Sequence, residues 1–382
     1  MRRDVFADDH EEFRRLARDF IAKEVVPHYA EWEETGRLPR ALFEQLGSLG
    51  LLGMAVPEEY GGAGLADYRY NVVLQEESAR ALVTLGTVRT QLDVVLPYFL
   101  TYADRDQRKR WFPGLASGTL LTAIAMTEPG TGSDLAGIRT TAVRDGDAYV
   151  LNGAKTFITG GLLADLVIVV ARTSADPDNR RAGLTLLVVE DDMPGFTRGR
   201  VLHKLGIKVQ DTVELAFDDV RVPVANRLGE EGAAFGYLAH NLPQERLTVA
   251  VGSVAQAQAA LRTTIEYVKE RAVFGKPVAS FQNTKFELAA VATEIEAAQT
   301  MLDHAVLDLV DGELTGADAA KVKLFCTEVQ ARAVDRCLQL FGGYGYMTEY
   351  PIARLYADAR VARIYAGTSE VMKVIIAKSL GL

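Results

Sequence analysis

Residues able to do chemistry cluster at a few points along this 382-residue chain. In Thr127-Glu128-Pro129-Gly130-Thr131-Gly132-Ser133-Asp134 the glycines and Pro129 force a tight loop. Its main chain can approach a planar ligand, and Thr127 and Ser133 add hydroxyls. The same octet also reads as an ordinary turn with Ser133 or Asp134 capping a helix. Arg271 offers a planar donor fork that suits a pyrophosphate, and Gly342-Gly343 permit close backbone approach. Thr368-Ser369-Glu370 open the last helix, where free amides and the helix dipole favour phosphate. Glu245-Arg246, within Leu242-Pro243-Gln244-Glu245-Arg246-Leu247, is a carboxylate beside a cation. Taken alone it reads as a solvated helix glutamate in an ion pair. The five histidines show no ligand spacing, so no metal site is expected. There is no GxSxG, no phosphate-binding P-loop and no dinucleotide fingerprint after a strand.

These residues need three kinds of scaffold. Phe13, Leu16, Ala17, Phe20, Ile21 and Val25 recur at helical spacing until Pro27 interrupts them. Leu42, Leu46 and Leu49 continue the pattern to Gly50, and Pro57 with Gly61-Gly62 marks a loop. Further helices are expected over 70–81 and 82–102. The pattern changes near Leu121. Asp145-Gly146 lies between Thr141-Ala142-Val143 and Tyr149-Val150-Leu151, a hairpin signal. The runs 166–171 and 184–189 are β-branched, and Val213, Leu215 and Phe217 alternate with polar neighbours. Helical periodicity returns over 233–271, 281–310, 317–341 and 351–380, which predicts a bundle.

The bulk numbers agree with such a molecule. The length calls for two or three domains. A hydrophobic share of 48%, a charged share of 24% and a net charge of -9 describe a globular protein without a basic nucleic-acid face. No run approaches the ~18 apolar residues of a membrane span, and the start, Met1 to Asp9, has arginines but no apolar run for a secretory leader. Cys326 and Cys337, on one predicted helix, stand roughly 16 Å apart, too far for a disulfide. Core thiols in a reducing, cytoplasmic setting are expected.

The octet at 127–134, the stretch 242–247, Arg271-Ala272-Val273-Phe274-Gly275-Lys276, and Gly342-Gly343-Tyr344-Gly345-Tyr346 leading to Tyr365-Ala366-Gly367-Thr368 fall in one order along the chain. Together they resemble the acyl-CoA dehydrogenase family, flavoenzymes that desaturate thioesters between the α and β carbons. The resemblance runs from the first helix to the last residues. It implies an α+β fold: an N-terminal all-α domain (1–121), a middle β-barrel-like domain (122–232) and a C-terminal four-helix bundle (233–382).

It also implies FAD. Ile124, Met126, Thr127, Gly132 and Ser133 match positions along the flavin, with Ser133 also touching coenzyme A. Phe157-Ile158-Thr159 matches an aromatic-Ile-Thr stretch beside the ring, here with Phe where many relatives carry Trp, so an indole donor is lost. Arg271, Phe274 and Gln282 match residues that reach the cofactor of a neighbouring subunit. Gln339, Leu340, Phe341, Gly342 and Gly343 supply complementary backbone, and Thr368, Ser369 and Glu370 the helix start. A homo-oligomer, a dimer or dimer of dimers, is implied.

The family's commonest base position, just before the Gly-Thr of the last loop, is Ala366 here. The resemblance is closest to the long-chain and isovaleryl branches, whose base precedes an arginine on another helix, and so implies Glu245. Glu370 is a second possibility, placed nearer the cofactor. Glu349 and Asp358 read as bundle-surface charges or salt links. Substrate contacts are implied for Ser133, Pro243, Gln244, Arg246, Ala366 and Gly367, with the Ala366 amide donating to the thioester oxygen. The implied activity is oxidation of acyl-CoA in fatty-acid β-oxidation, with electrons passed to an electron-transfer flavoprotein. Alternatives are a desaturase or oxidase acting on a carrier-protein thioester, or a flavin monooxygenase-like relative. The acyl tail is expected near 92–100 and 236–241.

Overall fold

The computed structural model describes residues 3–382. Met1 and Arg2, part of the stretch considered above as a leader, lie outside the described residues. Helices α1 (Asp8–Phe20), α2 (Tyr29–Thr35), α3 (Arg40–Ser48) and α4 (Arg69–Arg80) lead into α5 (Gly86–Arg89), α6 (Leu96–Tyr102) and α7 (Arg105–Ser117). α5 and α6 form one rod in which residues 90–95 widen into π geometry, just ahead of Pro97, which has no N–H to give. The helix expected from Leu82 starts only at Gly86, because Leu82 turns the chain at φ 58.

The middle of the chain is a twisted sheet of β1 (Thr122–Ala125), β2 (Thr141–Asp145), β3 (Ala148–Thr159), β4 (Leu166–Arg172), β5 (Leu184–Glu190), β6 (Phe196–Val201), β7 (Thr212–Pro223) and β8 (Arg227–Leu228). The order is β6-β7-β3-β2-β4-β5-β8, with β1 parallel on β4. The hairpin closes as its sequence predicts: Asp145 pairs with Ala148, and Gly146 takes the left-handed turn position at φ 63. β4 and β5 show why their sequences are continuously apolar. Val167, Val169 and Ala171 pack inside the sheet domain, whereas Leu166, Ile168 and Val170 pack against the N-terminal helices. A strand buried on both faces has no side to give to polar residues. The sheet is thereby fixed to the helical layer.

The last third comprises α8 (Ala234–Glu270), a short hairpin β9 (Ala272–Val273) and β10 (Lys276–Pro277), then α9 (Gln282–Val310), α10 (Gly316–Gln339), α11 (Pro351–Ala359) and α12 (Ser369–Ser379). Leu247, Val251 and Val254 of α8 meet Val291, Ile295 and Leu302 of α9 and Val322, Cys326 and Val329 of α10 in one core. Cys326 and Cys337 are both buried on α10, and burial pushes the Cys326 thiol up to about 12. The span 351–380, expected as one helix, is two. Ala366 and Gly367 hold φ 52 and 99 between α11 and α12, and the Thr368 hydroxyl then caps the new helix by accepting from the Val371 N–H.

Candidate active site

Three consecutive residues of α8 reach three different partners. Gln244 Nε2 donates to the Asp93 carbonyl at 3.1 Å, Glu245 accepts from the Tyr98 hydroxyl at 2.9 Å, and Arg246 Nε donates to the Ala366 carbonyl at 3.4 Å. Successive helix residues point about 100° apart, so one turn of α8 can join the α5–α6 rod to the loop between α11 and α12. Pro243, one step earlier, removes an N–H from the helix interior just ahead of this turn.

Glu245 is 7% exposed and Tyr98 fully covered. Burial pushes the Glu245 carboxyl up to about 7, opposed by the Tyr98 hydrogen bond and the charge of Arg246. That value suits a group exchanging protons near neutrality. Replacing Tyr98 by Phe removes the donor that favours the carboxylate. The Glu245 carboxyl is therefore expected to titrate at higher pH in the variant, read from its infrared carboxyl band over a pH series with wild type as reference. An unmoved or lowered midpoint would separate Tyr98 from the titration.

Glu245 opens into a cavity of about 180 Å³ shared with Ile124, Phe157, Thr159, Tyr365 and Ala366. Phe157 is 66% exposed and held at φ 59, on an irregular stretch of β3 between Lys155 and Ile158. Thr159 accepts at its hydroxyl from Gln210 Nε2 at 3.2 Å. Ile158 instead points into the sheet core. The 127–134 loop is closed by reciprocal backbone bonds between Glu128 and Thr131. Glu128 is buried, accepting from the Arg139 and Thr140 amides and from Lys155, so this acid pins the loop and is unavailable for catalysis. Gly132 and Ser133 are exposed at its tip, Thr127 is half-buried beside β3, and Met126 gives its carbonyl to Lys155 Nζ.

Arg271 and the Gln339–Gly343 backbone line a second groove, of about 630 Å³, with Tyr267, Tyr344 and Met347. This groove shares no residue with the Glu245 cavity. Phe274 projects at the β9–β10 turn, 94% exposed at φ 50, and Gln282 is exposed at the start of α9. Ser369 turns inward and donates to Glu328 at 2.8 Å, whereas Glu370 faces solvent.

Four further residues bear on the site, three of them unnamed by the sequence reading. Tyr98 orients Glu245. Lys323, with no exposed surface, donates from Nζ to the Gly367 carbonyl at 2.8 Å, and burial brings its pKa down to about 8. Arg89 lines the cavity. Asp358, expected at the bundle surface or in a salt link, is buried, lines the cavity and accepts from the Ile207 amide. Periodicity could have placed Lys323 on the buried face of α10 with Val322 and Cys326. No local pattern marks the other three. Of the expected tail stretches, 92–100 contributes Val94 to the cavity, and 236–241 contributes nothing.

Among the described residues, three of the six non-glycine residues at positive φ are Phe157, Phe274 and Ala366. Strain of this kind, of order 1–3 kcal/mol each, concentrates where structure serves binding. The N-terminal, middle and C-terminal domains of acyl-CoA dehydrogenase match residues 7–119, 123–220 and 233–381. The chain belongs to the acyl-CoA dehydrogenase family. It is similar to the long-chain specific acyl-CoA dehydrogenase of Sus scrofa mitochondria, 44% identical over 99% of this chain and 88% of the relative. It matches the crystal structure of an acyl-CoA dehydrogenase from Geobacillus kaustophilus at TM-score 0.97 and 46% identity, covering 100% of both chains. A solved chain described as the electron transferring flavoprotein of Acidaminococcus fermentans matches at TM-score 0.91 and 33% identity, covering 98% of both.

This dehydrogenase is thus an FAD-dependent oxidoreductase, and its own residues fit that cofactor. Gln330 Oε1, an unpartnered buried acceptor on a cavity-lining residue, and the hydroxyl of Thr159 suit a ring that carries polar edges. The glycine backbone with Arg271 suits a pyrophosphate. Among the described residues no His, Cys, Asp and Glu group forms a metal cluster, and no helix is long and apolar enough to cross a membrane.

Proposed function

We propose that Glu245 is the base that takes the α-proton of an acyl-CoA thioester, which becomes the trans-2-enoyl-CoA. The observation that carries this reading is the Glu245 carboxyl, raised by burial to about 7 and hydrogen-bonded by Tyr98, in the cavity that also contains Phe157, Thr159 and Ala366. FAD, when bound, accepts the β-hydrogen as hydride. The chain supplies the rest. Arg246 and Lys323 hold the carbonyls of Ala366 and Gly367, which fixes the strained loop and aims the Ala366 N–H toward the thioester oxygen as that oxygen gains charge. Ile124, Phe157 and Thr159, which line the cavity, would hold the flavin ring, and Met126, Thr127, Gly132 and Ser133 would border it, with Ser133 toward coenzyme A. Pro243, Gln244 and Gly367 contribute substrate contacts beside the base.

Arg271, Phe274, Gln282 and the 339–343 backbone then serve the cofactor of a neighbouring copy, with Thr368 to Glu370 at the start of α12. Their separation from the Glu245 cavity and the protruding Phe274 support a dimer or dimer of dimers. We place the domain boundaries after 121 and 232, the enzyme in the cytoplasm, where its two free thiols are at home, and electron-transfer flavoprotein as the acceptor. The similarity to a long-chain specific relative supports fatty acyl substrates. Anaerobic mixing of the yellow holoenzyme with acyl-CoA thioesters of graded length is expected to bleach the flavin. Unchanged absorbance with every thioester would remove the reading. Bleaching only by carrier-protein thioesters, or peroxide as the main product in air, would move it to a desaturase or an oxidase.

A further inference from the structure

The cavity that contains Glu245 has a second polar pole. Glu245, Thr248, Val249 and Gly252 line it from α8 at helical spacing, and Arg89, Thr90 and Val94 line it from the α5–α6 rod. Seven residues of α8 rise ~10 Å between Glu245 and Gly252, and Arg89 reaches the Thr248–Gly252 end of that stretch. Its guanidinium lies against Gly252: a Cβ there would come within 3.2 Å of Arg89 Nη1 and 3.3 Å of Gln75 Oε1. A Cβ would press on both side-chain tips, and glycine spares them that contact.

The hydrogen bonding around Arg89 is incomplete. Arg89 Nε is buried without a hydrogen-bond partner, and Gln75 Oε1 beside it is likewise unpartnered. Asp93 Oδ2 is the near counter-charge at 3.6 Å from Nε, yet Asp93 is already engaged by Asn71 at 2.6 Å and Gln75 at 2.7 Å. Arg89 Nη2 reaches the Thr248 carbonyl only at 3.4 Å. Asp93 also lies within the π-widened stretch 90–95, a distortion found frequently at functional sites.

Arg89 lines the cavity and keeps 18% of its side chain exposed, so a hydrocarbon end pressed here would cover guanidinium N–H groups with nothing to bond, which is costly. A neutral oxygen on the tail would accept from Arg89. A tail carboxylate fits worse, because Glu245 and Asp358 line the same cavity and Asp93 already balances the arginine. We propose that the enzyme acts on acyl thioesters whose distal chain carries a hydroxyl or keto oxygen, recognised by Arg89. This rests on the reading of Glu245 as the base of an acyl-CoA dehydrogenase.

The experiment compares wild-type holoenzyme on straight-chain acyl-CoAs of graded length, their ω- and (ω-1)-hydroxy counterparts, and dicarboxylyl-CoAs. At the lengths that reach Arg89 the hydroxylated chain is expected to exceed the plain one in kcat/KM by roughly ten- to a hundredfold, with the dicarboxylyl chain below the hydroxylated one. Arg89→Met should abolish the preference and improve plain chains. Because that variant strands Asp93, the pair Arg89→Met/Asp93→Asn, which leaves no lone buried charge, decides the matter if the single variant fails to fold. Equal kcat/KM for plain and hydroxylated chains at every length overturns the proposal. So does a preference that survives in the folded variant, or a dicarboxylyl chain that outperforms both. If no thioester of any kind bleaches the flavin, the base reading itself has failed and this inference goes with it.

Discussion

Glu245→Gln is expected to retain yellow FAD and lose turnover by about 10³-fold, within the range for removing a general base. Glutamine keeps the shape and can still accept the Tyr98 hydrogen bond, so ligand binding should survive while the α-proton stays in place. The same substitution is expected to stabilise the cofactor-free protein at alkaline pH. Burial raises the Glu245 carboxyl from 4.5 to about 7. Between those values the folded protein binds more protons than the unfolded chain, so stability falls as pH rises. The contribution is fully present below about 4.5 and lost on passing about 7, on the order of 3 kcal/mol at one unit per ~1.4 kcal/mol. Glutamine never ionises and escapes that loss. Urea melts at pH 8 should favour the variant, and melts near pH 4.5 should show little difference. A variant that turns over thioester, or is less stable than wild type at pH 8, would place the functional carboxyl elsewhere.

Elements were legible in the sequence where one local rule acted alone. The hairpin at Asp145-Gly146, the doubly buried β4 and β5, and the long helices α8, α9 and α10 each follow from periodicity or turn chemistry within a dozen residues. The misses lie where distant segments override local preference. Residues 82–85 are apolar enough for helix, but Leu82 is turned to φ 58 to let the rod begin at Gly86. The last helix breaks because Ala366 must take a left-handed conformation at the cavity, which alanine's own preferences oppose. The motif residues Phe157, Glu245 and Ala366 share one cavity, yet the partners that tune them come from segments the motifs do not name. Tyr98 lies 147 positions from Glu245, and Lys323 lies 44 from Gly367. A charge or hydroxyl in an apolar helix face announces that it will be buried. It does not announce what it will touch. Asp358 was misplaced for that reason: its short helix carries enough polar residues to pass for a surface element, and only the docking of the loop before β7 covers it.

That docking supports the last expected result. Gly206→Ala should destabilise the enzyme by about 3 kcal/mol or more and weaken FAD retention with it. A Cβ at residue 206 would lie 2.6 Å from the carbonyl carbon and oxygen of Ala357 and 2.7 Å from the Asp358 amide, all main chain of α11. Main chain inside a packed helix cannot swing aside as a side-chain tip can, so the loop must lift. Lifting it separates the Ile207 amide from the Asp358 carboxylate and frees Ile207 from φ 48, a conformation that a β-branched residue keeps only under constraint. Gln210, on the same loop, would lose its bond to Thr159, and Ile207, Gln210 and Asp358 would no longer close one wall of the cavity. Chemical melts of the cofactor-free protein give the stability loss, and flavin absorbance after gel filtration gives the retention. Asp358→Ala breaks the same contact from the other side, so the double variant should cost clearly less than the sum of the singles. Strict additivity would mean that loop and helix do not act as one joint. Full flavin content in Gly206→Ala would mean that this wall is not needed to hold the ring.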